Sequence, residues 1–368
     1  MSSGAPMRIL HVYPKDDTFT GAAIQLFELV RGLKARGHEV VLVTRPSEAW
    51  VARAKAAGIP YYAVPMRSEV DVRSAVRLAR IIRRHRIEVV HAQKGRARTL
   101  ALMAGLTVRI PVLILNRGVS FPLDPFNRLG YTISRVTAIV AVCESIKRGL
   151  VQMGVPGDKI EVIYSGTDTD RFHPGVDGTA IRRELGLGRE DFLVTQIGVR
   201  SWKGNDDVIA AMAAVLRQAP HARLLIVGAR RPESLDGIAR RHGIEARVHV
   251  LGYREDIPEI LAGSDCCVDA SWAGLGLTGT LRESLAVGTP VIGTDLEGNP
   301  ELVVEGETGF LVPPRDVPAL ASAILRMIRE PELARAMADH GAERVAALFS
   351  TRAKVERTEA LYRRLLGG

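Results

Sequence analysis

The chain has 368 residues, 46% of them hydrophobic and 25% charged, with a formal net charge of +9 at pH 7. That length predicts two domains, and that balance belongs to a globular protein rather than a disordered or fibrous one. With no apolar run of roughly 18 residues, no membrane-spanning helix is predicted.

Three cysteines, Cys143, Cys266 and Cys267, lack metal-ligand spacing and are expected as free thiols in a reducing cytosol. The N-terminus has no charged-then-apolar signal segment, and residues 1–6 are expected to be an unstructured lead-in. Charge is unevenly placed. Residues 1–170 carry 25 Lys+Arg against 14 Asp+Glu, whereas residues 171–368 carry 25 against 27. A basic first half predicts an anionic partner: anionic lipid, a lipid diphosphate or a phosphorylated saccharide. Nucleic acid is not predicted, because zinc-finger spacing and RNP-like aromatic motifs are missing and aromatics make up only 5%.

In chain order, Met7–Tyr13 reads as a buried strand, Thr20–Gly37 as a helix and Glu39–Thr44 as the second strand. No G-x-G-x-x-G follows the first strand, which counts against a nicotinamide-dependent oxidoreductase. A short helix over Trp50–Ala57 and a strand over Tyr61–Val64 follow. Val70–Arg86 is a basic helix in which Arg73, Arg77, Arg80 and Arg84 form one stripe. The stripe fits a solvated face with apolar residues packed on the sheet, and it also fits an anionic membrane surface.

Glu88–Ala92 is a strand ending near His91. Lys94, Arg96 and Arg98 are then expected on a strand-to-helix loop, where ligands of doubly wound sheets collect. Cations are unfavourable at a helix N-terminus, so an anion there would relieve them; a basic helix start in water fits equally. Arg117 follows the strand Pro111–Leu115 and is a fixed cation suited to forked bonds with phosphate or carboxylate. Helices over Asp124–Arg135 and Glu144–Met153 flank the strand Ala138–Val142. Residues 166–178, rich in Gly, Asp, Thr and Pro, read as a linker.

The second half repeats the alternation. Strands are expected at Phe192–Ile197, Arg223–Gly228 and Val248–Leu251, with helices at Asp207–Gln218, Pro232–His242 and Ile257–Ala262. Cys266–Ala270 is a short buried strand. Gly274, Gly276 and Gly279 open a loop into the helix Thr280–Val287, which Gly288 and Pro290 close. Free N–H groups and a positive dipole end suit an anion, most often a phosphate, and Glu283 could reach a sugar hydroxyl beside it. An ordinary turn with a solvated glutamate fits the loop alone as well. Strands at Pro290–Thr294 and Thr308–Val312 precede helices at Val317–Arg329, Pro331–Leu348 and Thr351–Leu366. The order of strands and helices predicts an α/β fold with two Rossmann-like domains.

The run from Arg282-Glu283 to Pro290-Val291, the pair Lys203-Gly204 and the segment Ser165–Pro174 together resemble the retaining glycosyltransferases of family 4, which have the GT-B fold. The resemblance covers nearly the whole chain. It implies two Rossmann-like domains facing each other across a cleft. Residues 1–170 would bind the acceptor, 171–350 the nucleotide-sugar, and a helix over 351–368 would cross back to the first domain. Lys203 and Arg200 would hold the donor diphosphate. Gly276, Thr278, Gly279 and Thr280 would bind phosphate and sugar through backbone groups, Glu283 the ribose, and the turn at Tyr253 the base. Gly21 and Ala22 would close over the phosphates from the first domain. His91, Lys94, Arg96 and Arg117 are the acceptor-binding candidates. Arg117 also stands where a family histidine contacts the donor sugar, so it joins Lys203 and Arg200 as a catalytic candidate.

The implied reaction moves a sugar from a nucleotide-sugar to a hydroxyl of a saccharide or lipid-linked acceptor, with retention. No cofactor and no metal are implied, the nucleotide-sugar being a substrate. The basic first half adds an expected cytoplasmic location, peripheral at the inner face of the plasma membrane, in cell-surface polysaccharide or lipopolysaccharide biosynthesis. Three positions depart from the family pattern. Leu275 or Ala273 replaces the first of two family glutamates, the phosphate arginine stands one place late at Arg200, and Arg117 replaces the histidine. These departures keep open a nucleotide-binding partner subunit that transfers nothing, and more remotely a sugar epimerase on the same fold.

Overall fold

The computed structural model describes residues 5–120, 125–274 and 276–367. The first four residues of the expected lead-in, Asp124 at the start of an expected helix, and Leu275 lie outside the described residues. The chain divides into two compact units, residues 1–166 with 351–368, and residues 167–350.

The first unit holds seven parallel strands: β1 (Arg8–Tyr13), β2 (Glu39–Thr44), β3 (Tyr61–Ala63), β4 (Val89–Gln93), β5 (Val112–Arg117), β6 (Ala138–Ala141) and β7 (Ile160–Val162). Their order across the sheet is β3-β2-β1-β4-β5-β6-β7. In register, Leu10 of β1 stands opposite Val41 and Val90. These strands are nearly continuous Val, Ile and Leu because helices bury both faces.

One face is covered by α1 (Gly21–Ala35), α2 (Glu48–Ala56) and the C-terminal helix α15 (Thr351–Gly367), whose Val355 and Tyr362 join Ile9, Val30, Leu33 and Trp50 in one core. Polar contacts also seat α15: Arg36 bonds to Glu359, and Lys354 Nζ donates to the Gln25 carbonyl at 2.7 Å. The other face is covered by α3 (Val72–Arg84), α4 (Lys94–Ala104) and α6 (Glu144–Gln152). α3 buries Ala75, Leu78, Ala79 and Ile82, while Val72 and Val76 are exposed beside the arginines rather than packed on the sheet. The expected loop carrying Lys94–Arg98 does not exist. Strand β4 runs directly into α4, with Lys94 turning the corner at φ +69°.

The second unit has six parallel strands: β8 (Phe192–Ile197), β9 (Ala222–Val227), β10 (Val248–Leu251), β11 (Cys266–Asp269), β12 (Val291–Thr294) and β13 (Gly309–Val312). They lie in the order β10-β9-β8-β11-β12-β13. α8 (Asn205–Leu216) and α13 (Val317–Arg329) pack Val208, Met212, Leu320 and Ile324 on one face. On the other, Ile260 of α10 (Ile257–Ala262) meets Ile181 of α7 (Thr179–Glu184). The sequence reading missed α7 and the one-turn α12 (Asn299–Leu302); both are too short for an apolar period to appear. Cys143, Cys266 and Cys267 are buried free thiols.

Both sheets place their first strand in the middle and reverse direction beside it, between β1 and β4 and between β8 and β11. Open parallel sheets bind ligands outside the carboxyl ends of strands at such reversals.

Candidate active site

At the second unit's reversal, β11 ends in Asp269, which is 1% exposed. Its carboxylate pairs with Lys203 Nζ from the loop after β8. It also accepts from the Ser271 amide at 3.1 Å and lies 3.5 Å from Thr280 Oγ1. One buried acid thus ties the β8 loop, the glycine-rich loop and α11 (Gly279–Ala286) together. Gly204 makes this approach possible: it sits at φ +62°, and a Cβ there would lie 2.3 Å from the Ala270 carbonyl oxygen. Gln196 fixes the loop from below, donating to the Lys203 carbonyl at 2.8 Å.

Helix α11 begins beside this pair. Thr278, its N-cap residue, turns its hydroxyl inward to Asn299 Oδ1 at 2.7 Å, so no side chain caps the first-turn amides. Arg282 and Glu283 both reach back toward this end: Arg282 Nη2 and Glu283 Oε1 lie 3.6 and 3.9 Å from where a Cβ on Gly279 would stand. Arg282 is 4% exposed, and its Nε and Nη1 have no hydrogen-bond partner among the described residues. Burial lowers its pKa to about 10, against the pull of Glu283. Burial raises the Glu283 pKa, opposed by the positive charges of Arg282, Arg171 and Lys203. Uncapped amides, a lysine and a half-buried carboxylate therefore converge on one spot, with groups suited to an anion and to a hydroxyl-bearing ring.

At the first unit's reversal the groups differ. His11 of β1 and His91 of β4 are buried neighbours, with ring centroids 5.2 Å apart. Burial lowers the pKa of both, His11 to about 3. Nearer the strand ends, Lys15, Arg45, Lys94 and Arg96 surround a cavity of about 350 Å³ together with Glu69.

The family description Glycosyltransferase Family 4 matches residues 19–171, and Glycosyl transferases group 1 matches residues 192–330. A Mycolicibacterium smegmatis protein, the GDP-mannose-dependent alpha-(1-6)-phosphatidylinositol monomannoside mannosyltransferase, is 31% identical over 285 residues, covering 72% of this chain and 73% of that one. The chain belongs to the family 4 glycosyltransferases of the GT-B fold. The N-acetyl-alpha-D-glucosaminyl L-malate synthase of Bacillus anthracis is 26% identical over 372 residues, covering 93% of each chain. The lipopolysaccharide core biosynthesis mannosyltransferase LpsB of Rhizobium meliloti is 30% identical over 248 residues, covering 64% of this chain and 68% of that one. The Anabaena protein HepE, crystallised with UDP, shares the fold at a TM-score of 0.87 and 20% identity, over 97% of this chain and 100% of that one.

In this glycosyltransferase the structure gathers Lys203, Thr278, Gly279, Thr280 and Glu283 around the start of α11, with Gly276 in the loop before it. Arg200 stands apart: its side chain is exposed and bonds to the Val199 carbonyl at 2.7 Å. Tyr253 is 78% exposed on the turn after β10. In the first unit, Gly21 and Ala22 form the exposed first turn of α1. His91 does not open onto an acceptor. It is 1% exposed, and its Nδ1 meets the Tyr362 hydroxyl of α15 at 2.6 Å. Arg117 is the last residue of β5 rather than part of a loop beyond it. Sequence reasoning missed Asp269, Arg282 and the cavity cations Lys15 and Arg45. The available signals were an acid ending an apolar strand and two cations within two residues of the ends of β1 and β2.

Proposed function

We propose that this glycosyltransferase moves a sugar from a nucleotide-sugar to a hydroxyl of a saccharide or lipid-linked acceptor, with retention of configuration and without a metal ion. The reading is carried by the convergence of Lys203, the uncapped start of α11 and Glu283 at the second unit's reversal. As the bond from the anomeric carbon to phosphate breaks, the departing diphosphate gains negative charge. Lys203 and the helix amides are placed to offset it, with Lys203 exchanging Asp269 for phosphate oxygens. The acceptor oxygen forms the new bond on the same face, and its proton passes to the departing phosphate oxygen. Glu283 would accept hydrogen bonds from the ribose hydroxyls.

A cell-surface glycan role is supported by the basic first unit and by the relatives' names. Peripheral membrane association is supported by α3, where Arg73, Arg77, Arg80 and Arg84 are exposed around the exposed Val72 and Val76. One relative is named for GDP-mannose, and one fold neighbour was crystallised with UDP. UDP, GDP and ADP therefore make the test panel for calorimetric titration into wild type and Glu283→Ala. One nucleotide should bind saturably, and the substitution should weaken it about tenfold or more, roughly 1.4 kcal/mol. Failure of all three to bind folded wild-type protein would overturn the donor assignment. Ala273, which cannot stand in for the missing glutamate, favours a second reading: a nucleotide-holding subunit that transfers nothing. Release of free sugar from a bound nucleotide-sugar would exclude it.

A further inference from the structure

We propose that the cavity at the carboxyl ends of β1, β2 and β4 binds a doubly charged phosphate group carried by the acceptor. The word acceptor rests on the glycosyltransferase reading; the phosphate site rests on the first unit alone. Four cations, Lys15, Arg45, Lys94 and Arg96, line about 350 Å³ against one carboxylate, Glu69. That volume falls in the range of small-molecule sites, so the attached group has room beside the phosphate.

The cations are poorly satisfied within the protein. The Arg45 guanidinium has no hydrogen bond or ion pair among the described residues, and its Nε is buried. Arg96 donates through Nη1 to the Met66 carbonyl at 2.9 Å. Its buried Nε is also unbonded, 4.0 Å from Glu69 Oε1 and beyond hydrogen-bond reach. Lys94 and Lys15 line the same cavity, Lys94 with Nζ 5.8 Å from the centre of the Tyr13 ring, and burial with the Lys15 charge lowers the Lys94 pKa. Asp17 relieves Lys15 only from 4.0 Å. Like charges around a concavity repel more than on an open convex surface, because low-dielectric walls focus their fields.

The backbone adds to this. Helix α4 starts without a side-chain cap, with cations and no acid in its first turn. Lys94 at φ +69° and Met66 at φ +44° hold left-handed conformations that non-glycine residues rarely take. Such strain persists only where the surroundings impose it and gathers at ligand sites. A single carboxylate would leave most of the charge uncompensated. A phosphate dianion accepts from two guanidinium forks and two ammonium groups at once.

The test is calorimetric titration of inorganic phosphate into wild type, Lys203→Ala, Arg45→Gln and Lys15→Gln, each shown to be folded by its thermal transition. Phosphate should bind wild type and Lys203→Ala alike, within twofold. Arg45→Gln should weaken it at least tenfold, and the exposed Lys15→Gln severalfold. No binding to wild type overturns the proposal, as does binding lost in Lys203→Ala but kept in Arg45→Gln, which would put the ion in the second unit. Nucleotide titration of the same proteins separates the two readings. Nucleotide binding without phosphate binding sinks this site and leaves the donor assignment standing; phosphate without nucleotide does the reverse. Glucose 1-phosphate, and phosphatidylcholine vesicles with and without phosphatidic acid, then distinguish the sources. Arg45-dependent binding of the sugar phosphate indicates a soluble acceptor, and Arg45-dependent binding of the acidic vesicles a lipid headgroup. Vesicle and sugar-phosphate binding that are both indifferent to Arg45 would contradict the site.

Discussion

At the end of β11, Lys203 is held by a buried aspartate; at the end of β4, Lys94 lies beside Lys15, and Asp17 offsets the pair only from a distance, 4.0 Å from Lys15. The two sheets share a strand order, and both reversals are rich in positive charge, yet one is closely paired from inside while the other has carboxylates only at 4.0 Å among the described residues. In the second unit, a ligand must exchange with Asp269 for Lys203. Binding there should depend on geometry, because Asp269 already fixes where Lys203 points. In the first unit, the cations gain on binding what the protein does not supply. Affinity there should depend steeply on charge and salt. The pairing pattern separates a site built to hold one shape from a site built to attract one sign.

The strongest way to break this contrast is to remove the internal partner. Asp269→Ala leaves Lys203 largely buried and unpaired, and should cost the second unit about 3–5 kcal/mol in urea unfolding. A loss below about 1 kcal/mol would mean that the pair is not structural. Next comes Gly204→Ala, which forces a Cβ against the Ala270 carbonyl oxygen at 2.3 Å with the backbone at φ +62°. It should cost about 1–3 kcal/mol and loosen the loop that presents Lys203; an unchanged thermal midpoint would contradict the packing.

Acid sharpens the contrast from the other side. His11 and His91 are buried neutral, with folded pKa values below the ordinary histidine value of 6.5. The unfolded chain therefore binds more protons, and stability is lost as pH falls from about 6.5 toward the His11 value of about 3. Each histidine contributes up to about 1.4 kcal/mol per pH unit within its window. Thermal melts should show the first unit destabilised on acidification, with the slope reduced in His11→Leu, since neither His11 nitrogen has a hydrogen-bond partner among the described residues. Equal slopes in both proteins would contradict this. The smallest effect is expected from Lys15→Gln without phosphate. Removing an exposed charge that repels Lys94 should stabilise by at most about 0.5 kcal/mol, and measurable destabilisation would mean that Lys15 pairs with something else.

Much of this was legible in the sequence. Both sheets show as runs of Val, Ile and Leu because strands buried on both faces need no alternation. Family motifs single out Lys203 and Glu283, and the glycines mark the start of α11, where the structure brings the two side chains near each other. Asp269 was overlooked because it ends an apolar strand, where its side chain reads as an exception rather than as an anchor. His91 was misplaced for the opposite reason. It lies near a strand end in the sequence, but Tyr362 of α15, 271 residues away, covers it. Lys15 and Arg45 follow two strands distant from Lys94 in sequence, and only the sheet order β2-β1-β4 brings the three together. Arg200 followed the motif while its side chain points to solvent.

The most direct test of two independent anion sites is a crossed titration: the nucleotide that binds wild type into Arg45→Gln, and inorganic phosphate into Glu283→Ala. The account predicts that each ligand binds as it does to wild type, within twofold, because each substitution lies in the other unit's site. Loss of both ligands in either variant would contradict it, and the chain would then hold one anion site rather than two.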